Sequence, residues 1–355
     1  MGVGAAATDG AMYADKPPRP LIACLLGAGF SFTAGVPLAS KLFDRNWVIA
    51  PSRASEKRFA VVREHYETWR NAHPDEHSEK YMAMVYTRNA GPNPPRWEWI
   101  VEYVGAVIAS AGTPPASLNR NPRYSNRINR PLYCSVHRLF RDVLLRVTKE
   151  ISVITTNYDI VVERVLRHRR MQRPPSPGCF YGGVSRPQIL TGAPQPFSQW
   201  GPDRTIEMTG SIPVFKLHGS LNWALRGESI LAYQDMRAAF RHGGDAAIIP
   251  PIPEKSVPDW LQAIWTNAEA SLCSSDVWVM CGYSMPEYDT QILQLLERSG
   301  TGRPLTVLVV SPEADAIKEK LMKLLPLCTA IPLPGLPDGV EGLDQWLRSV
   351  AVGVA

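Results

Sequence analysis

Residues 21–26, Leu21-Ile22-Ala23-Cys24-Leu25-Leu26, form a wholly apolar run that stops at Gly27-Ala28-Gly29. A short run with no polar position has no side that tolerates water. It therefore specifies a strand buried on both faces, with a tight glycine turn leaving it. Strands of that kind belong to parallel sheets, because an antiparallel sheet with one wet face alternates apolar and polar residues. Comparable runs occur at 151–156, 213–217, 277–281, 305–310 and 329–333. Helical patterns fall between or after them at about 160–170, 286–298, 312–325 and 340–350, with Pro312 suited to a first helical turn. Residues 31–43 read as loop followed by helix.

Strands that alternate with helices predict the α/β class, with a Rossmann-like parallel sheet covered by helices on both faces. Ligands on such sheets sit at the carboxyl ends of the strands. Residues 21–355 read as one domain preceded by a flexible arm at 1–20, which holds small and charged residues with Lys16-Pro17-Pro18-Arg19-Pro20 and no apolar core. Two stretches interrupt the pattern. Residues 45–150 are predicted to be a helical insertion, with helices at 55–70 and 97–111. Residues 171–211, rich in Pro, Gly and Ser, are expected to be an irregular loop.

Composition narrows the classes of function. A chain that is 45% hydrophobic and 20% charged is of ordinary globular type. No stretch of about 18 apolar residues is present, and the first 20 residues lack the apolar segment of a secretory signal, so a cytoplasmic location is expected. The six cysteines are scattered with no Cys-x-x-Cys pair, which predicts neither a zinc ribbon nor a disulfide framework. His73 and His77 are separated by Pro74, which spoils a helical ligand pair, so no metal site is expected. The net charge of +5 is mild. Arg120, Arg123, Arg127 and Arg130, then Arg164, Arg167, Arg169, Arg170 and Arg173, read as solvated faces, and direct nucleic-acid binding is not expected. No Gly-x-x-x-x-Gly-Lys-Ser/Thr loop is present, which argues against an ATPase.

The residues with chemistry collect at the predicted strand ends. Gly27, Ala28, Gly29 and Ser31 stand where a strand enters a turn, a place where backbone N–H groups can meet a pyrophosphate. Read alone, Gly-x-Gly is equally a tight turn without a ligand, and Phe32 stands where a dinucleotide fingerprint has its third glycine. A hydride-transfer enzyme fits poorly, because no acidic residue follows a second strand about 20 positions on. Asn157 and Asp159 follow the strand at 151–156, and either could cap the next helix. His218 follows the strand at 213–217. Gly282 and Ser284 follow the strand at 277–281, and Ser311 the one at 305–310. Asp289 reads as a first-turn acid of a helix begun at Pro286, and Glu98 and Glu102 as one exposed or interdomain face.

The ordered set is more specific than its members. Gly27-Ala28-Gly29-Phe30-Ser31 with Ala34-Gly35-Val36-Pro37 resembles the signature of the sirtuin family. Thr155-Thr156-Asn157-Tyr158-Asp159 resembles that family's Asn-and-Asp motif, and Lys216-Leu217-His218-Gly219-Ser220-Leu221-Asn222-Trp223 its catalytic His-Gly segment. Gly282-Tyr283-Ser284 and Val309-Val310-Ser311 resemble its ribose- and adenine-side contacts. The Pro-x-Phe-Arg continuation and the zinc module of the protein deacetylases are missing, since Leu38-Ala39-Ser40-Lys41 follows Pro37. The pattern is closer to the bacterial sirtuin-like branch of anti-phage defence, whose members mostly hydrolyse NAD.

That resemblance implies an NAD+ hydrolase that releases nicotinamide and ADP-ribose, with NAD+ as substrate, no metal, and a role as an NAD-depleting abortive-infection effector. It implies Asn157 and His218 as catalytic residues, and Gly27, Ala28, Gly29, Ser31, Asp159, Gly282, Ser284 and Ser311 as NAD contacts. Nicotinamide leaves as a neutral base from an oxocarbenium-like ribosyl centre, so the leaving group needs no general acid. Orientation and charge stabilisation suffice. Asn157 can hold a water, or the carboxamide and ribose, in line. Imidazoles titrate ordinarily near pH ~6.5, so His218 suits the acceptance of a proton from water or a ribose hydroxyl. Other readings are an NAD-dependent deacylase or ADP-ribosyltransferase, and a non-catalytic NAD or ADP-ribose sensor. With no sensor domain evident, regulation is expected from homo-oligomer assembly or from a separate partner, such as a hexameric ATPase or a short Argonaute.

Overall fold

A computed structural model describes residues 20–43, 53–111, 135–148, 150–166, 179–181, 212–226, 229–232, 245–249 and 257–353. The arm at 1–20 except Pro20, most of the loop at 171–211, and the arginine clusters except Arg164 lie outside the described residues.

The chain opens with β1 (Ile22–Leu26), then α1 (Ala28–Phe32) and a 3-10 turn at Ala39–Lys41. Helices α2 (Arg53–Ala72), α3 (Ser78–Tyr86), α4 (Trp97–Ala111) and α5 (Ser135–Val147) precede β2 (Ile151–Thr155). There follow α6 (Val161–Leu166), β3 (Cys179–Tyr181), β4 (Ile212–Lys216), β5 (Gly219–Arg226), β6 (Ser229–Ala232) and β7 (Asp245–Ile248). The last part holds α7 (Asp259–Ser274), β8 (Val277–Cys281), α8 (Thr290–Gly300), β9 (Leu305–Val310), α9 (Ala314–Leu324), β10 (Cys328–Leu333) and α10 (Gly339–Gly353).

Seven strands form one sheet in the order β10-β9-β8-β1-β2-β4-β3, every pair parallel. All positions of β1, β2 and β8 are buried, as expected for a sheet covered by helices on both faces. On the helical layers α5 packs against α6 and α10, while α7 packs against α8 and β4. The predicted Rossmann-like α/β architecture is the one observed.

Two features of the sheet place the site. From β1 the chain goes to β2 on one side and later crosses to β8 on the other, so the strand order reverses beside β1. Such a switch point opens a crevice at the carboxyl edge. The register also brings the three strands to a level end, because Leu26 pairs with both Thr155 and Cys281.

Three expectations need correction. Helix begins at Ala28 rather than beyond Ser31, and α1 lasts only five residues before the 3-10 turn. The helix after β8 begins at Thr290, not Pro286. Met285 has φ +52, and Asp289 N donates to Pro286 O at 3.1 Å, which closes a turn ahead of the helix. Finally, the stretch 171–211, expected to be an irregular loop, holds the strand β3 at Cys179–Tyr181, and a further strand, β5, begins at Gly219, where no element was expected. Leu217 and His218 form a tight turn between β4 and β5, and β5 heads a small antiparallel sheet β6-β5-β7. Gly219 makes that turn possible, with φ +79 and no room for a side chain.

Between β1 and β2, α2 and α4 pack together over an aromatic layer. Phe43 stacks on Tyr66 and on Tyr103 with centroids 4.4 and 5.5 Å apart, and meets Tyr81 edge-on at 5.4 Å. Glu102, expected on an exposed or interdomain face, instead accepts from Ser55 at 2.6 Å and from Arg58 at 3.0 Å, tying α4 to α2. Among the described residues no helix is long and apolar enough to cross a membrane.

Candidate active site at the strand ends

A cleft of about 550 Å³ lies at the carboxyl edge of the sheet. That size is within the usual range for a small-molecule or cofactor site. Ala28, Gly29, Asn157, Asp159, His218, Gly282, Ser284 and Ser311 all line it. They come from the ends of β1, β2, β4, β8 and β9, so residues separated by up to 283 positions share one wall. Gly27 and Ser31 stand behind this wall and support it, and Ser31 is fully buried.

The turn after β1 is locked to the turn after β8. Gly27 N donates to Cys281 O at 3.1 Å, and Gly29 N donates to Gly282 O at 2.9 Å. A side chain on Gly27 would lie 2.5 Å from Gly282 O, so glycine is required there for two backbones to touch. His137 of α5 holds α1 from below: its Nε2 is 2.6 Å from Phe30 O and 3.0 Å from Thr33 Oγ1. Burial keeps that imidazole below its ordinary titration range.

Asn157 is pinned from the turn after β1 and from α1. Its side-chain N–H groups donate to Gly27 O at 2.9 Å and to Ser31 Oγ at 3.0 Å, and its backbone N–H donates to Thr155 Oγ1 at 3.1 Å. With both amide hydrogens so committed, Asn157 has its Oδ1 acceptor to offer a ligand. Asp159 takes the capping role, its Oδ1 accepting from Val161 N at 2.8 Å at the start of α6. Burial raises the Asp159 carboxyl above its ordinary value, against the pull of Lys216 and of hydrogen bonds from Val161 and Ser31.

Beneath the site runs a buried polar chain. Lys216 Nζ donates to Asp159 O and, at 2.9 Å, to Glu163 Oε1, and neither ionic side chain of this pair is exposed. Tyr181 OH donates to Glu163 at 2.9 Å, Asn222 Nδ2 donates to Tyr181 OH at 3.0 Å, and Ser220 Oγ donates to Asn222 Oδ1 at 2.6 Å. Lys216, Ser220 and Asn222 thus fasten β4 and β5 to α6 on either side of His218.

His218 is buried, and its Nε2 lies 3.8 Å from Asp289 Oδ1. Tyr283 OH donates to Asp289 Oδ2 at 2.7 Å. Burial raises the Asp289 carboxyl above its ordinary value, opposed by His218 and by the Tyr283 hydrogen bond. The region between β1 and β2 supplies a further wall: His77 and Glu79 of the α3 start line the cleft, Tyr288 OH donates to Glu79, and the His77 and Tyr288 rings stack at 5.6 Å.

Ser311 and Ser284 occupy the far end of the cleft. Ser311 Oγ accepts from Glu313 N at 3.2 Å, and Ser284 O accepts from Lys320 Nζ at 3.3 Å. Sequence reasoning missed Glu79, His77, Tyr288 and the role of Asp289. Asp289 reads in the sequence as a first-turn acid, although it stands only five residues beyond the Gly282-Tyr283-Ser284 motif. Glu79 carries no sequence signal, since only the packing of α3 brings it there. Among the described residues no group of three His, Cys, Asp or Glu side chains is arranged to hold a metal ion.

Residues 151–326, a little under half of the chain, match the family described as a SIR2-like domain. The match covers the segments of Asn157, Asp159, His218, Gly282, Ser284 and Ser311, while the Gly27–Ser31 turn lies outside it. No curated protein matches the sequence. Solved structures of sirtuins align over most of the chain at low identity. One is a Sir2 homologue mutant complexed with 2′-O-acetyl ADP ribose, at 14% identity, covering 95% of this chain and 94% of that one, with a TM-score of 0.40. Another is a Sir2 homologue–NAD complex, at 15% identity with 95% and 91% covered and a TM-score of 0.37. A third is Sir2Tm bound to a propionylated peptide, at 14% identity with 95% of each chain covered and a TM-score of 0.36. Likenesses this distant transfer no residue roles.

Proposed function

We propose that this chain hydrolyses NAD+ at the bond between nicotinamide and ribose. The observation that carries the reading is the convergence, in one cleft, of the Ala28–Gly29 turn, the Asn157 amide and the His218 imidazole from three different strand ends. The SIR2-like match across 151–326 supports the NAD-binding part of it.

In the proposed reaction, the pyrophosphate lies against the turn after β1 and the adenosine end lies toward Ser311. The C1′–N bond breaks with its electron pair going to the pyridinium nitrogen, so neutral nicotinamide leaves. Water adds to C1′, and the proton it loses passes to His218 and then to solvent, leaving ADP-ribose. Asn157 Oδ1 orients the water or the nicotinamide ribose, and Asp159 holds the loop that carries Asn157.

The proposed biological role is the NAD-depleting effector of a bacterial anti-phage system in the cytoplasm. Restraint would come from homo-oligomer assembly or from a regulatory partner such as a hexameric ATPase or a short Argonaute. These points rest on the motif resemblance.

Chromatographic assay of nicotinamide and ADP-ribose, with the chain alone and with its genomic neighbour's product, tests the reading. Asn157→Ala and His218→Ala are each expected to lower turnover by about 10²-fold or more. Full turnover in both variants would overturn the site assignment. Nicotinamide release that requires an acyl-lysine peptide would point to a deacylase instead.

A further inference from the structure

We infer that Asp289 is the positioning residue for His218: Tyr283 holds one carboxylate oxygen, and the other faces the imidazole and stabilises the imidazolium formed when His218 takes a proton. Its place in the chain makes that task visible. Asp289 is the N-cap residue of α8, a position where an aspartate ordinarily turns its carboxylate onto the first free backbone N–H groups. Here no side-chain capping bond forms. Instead Oδ2 accepts from Tyr283 OH at 2.7 Å, and Oδ1 lies 3.8 Å from His218 Nε2. Both the imidazole and the carboxylate are nearly enclosed, with side-chain exposures of 7% and 6%, so water screens their attraction poorly.

The same logic operates wherever a buried carboxylate orients a histidine base and stabilises its charged form. Around this pair stand Tyr283 and Tyr288 on its own loop, Tyr158 after β2 with its ring 6.2 Å from that of His218, and Glu79 with His77 at α3. Burial holds Tyr158 and Tyr283 far above their ordinary values, so both stay neutral. The Glu79 carboxylate accepts from Tyr288 and lies 3.3 Å from His77 Nδ1, leaving Asp289 as the carboxylate in contact with His218.

The kinetic part of this inference rests on the hydrolase reading, whereas its titration part does not. NMR of the His218 ring in the full chain is expected to show its midpoint falling by about one pH unit in Asp289→Asn. The acid limb of the kcat/KM profile should move the same way, with kcat down by about 10-fold or more and KM within about threefold. A purely structural role would lower the folded fraction and leave both midpoints in place, and that result overturns the inference. Tyr283→Phe keeps the charge but frees the carboxylate. It should lower kcat severalfold with the limb unmoved, and an unchanged kcat there also overturns the inference, even if Asp289→Asn does not fold. Should the wild-type chain release no nicotinamide under any condition, the hydrolase reading fails and the ring titration alone decides.

Discussion

At Gly282 the backbone has φ +65, and a methyl group there would lie 2.2 Å from the amide nitrogen of Phe30. Sequence logic assigns Gly27 and Gly29 to a ligand's pyrophosphate and Gly282 to its ribose or adenine side. Their tightest contacts are in fact with each other, across the seam between the turns after β1 and β8. The positions were legible, and the reason for them was not, because a turn-to-turn contact joins segments 253 residues apart. Asn157 shows a comparable mixture. Its place at a strand end was readable, but its double anchoring to Gly27 and Ser31 depends on the three-dimensional seam. Asp289 gives a prediction for this scale. Its carboxyl is raised from the ordinary 3.8 chiefly by burial, so the fold favours the neutral form. A raised folded-state value contributes stability below the unfolded value and loses it as pH rises through the folded one. Asp289→Asn, which is neutral throughout, should therefore match the wild type near pH ~4 and become the more stable of the two as pH rises. Denaturant titrations across that window check this, and a variant that loses stability relative to wild type as pH rises would contradict it.

Among the elements, the wholly apolar strands were the most legible. β8 and β9 begin and end where their runs do, because a strand buried on both faces leaves no choice of polarity. Polar strands defeated the same reasoning. β5, which no apolar run marks, carries Ser220 and Asn222 into the interior, where the Lys216–Glu163–Tyr181 chain satisfies them. Nothing in a one-dimensional pattern distinguishes such residues from a wet turn. The start of α8 was misplaced for a different reason: Pro286 suits a first turn, but the left-handed Met285 and the turn closed onto Pro286 delay the helix to Thr290. The buried pair tests how β4 is held to α6. Lys216→Met removes the buried cation beside Glu163 and should cost about 3–5 kcal/mol. The double variant Lys216→Met with Glu163→Gln should recover much of that loss, since no buried carboxylate remains without a cation beside it. Equal stability of the single and double variants in chemical denaturation would show that the pair does not hold these elements.

For the whole molecule, the architecture followed from alternation alone, but the shape of the cleft did not. Its sheet edge was readable from strand ends. Its other wall comes from the region between β1 and β2, which contributes His77, Glu79 and Ile108, residues that no motif marks. His218 and Asp289 on this cleft are nearly enclosed, with side-chain exposures of 7% and 6%. The central claim is that this cleft receives NAD+ with its nicotinamide ribose at Asn157 and His218. The most direct measurement is a crystal structure of His218→Ala grown with NAD+, in which turnover is blocked and substrate persists. The account predicts the pyrophosphate beside Ala28 and Gly29, the adenosine toward Ser311, and C1′ of the nicotinamide ribose next to Asn157 Oδ1. A dinucleotide lying elsewhere, or reversed so that nicotinamide meets Ser311, would contradict it.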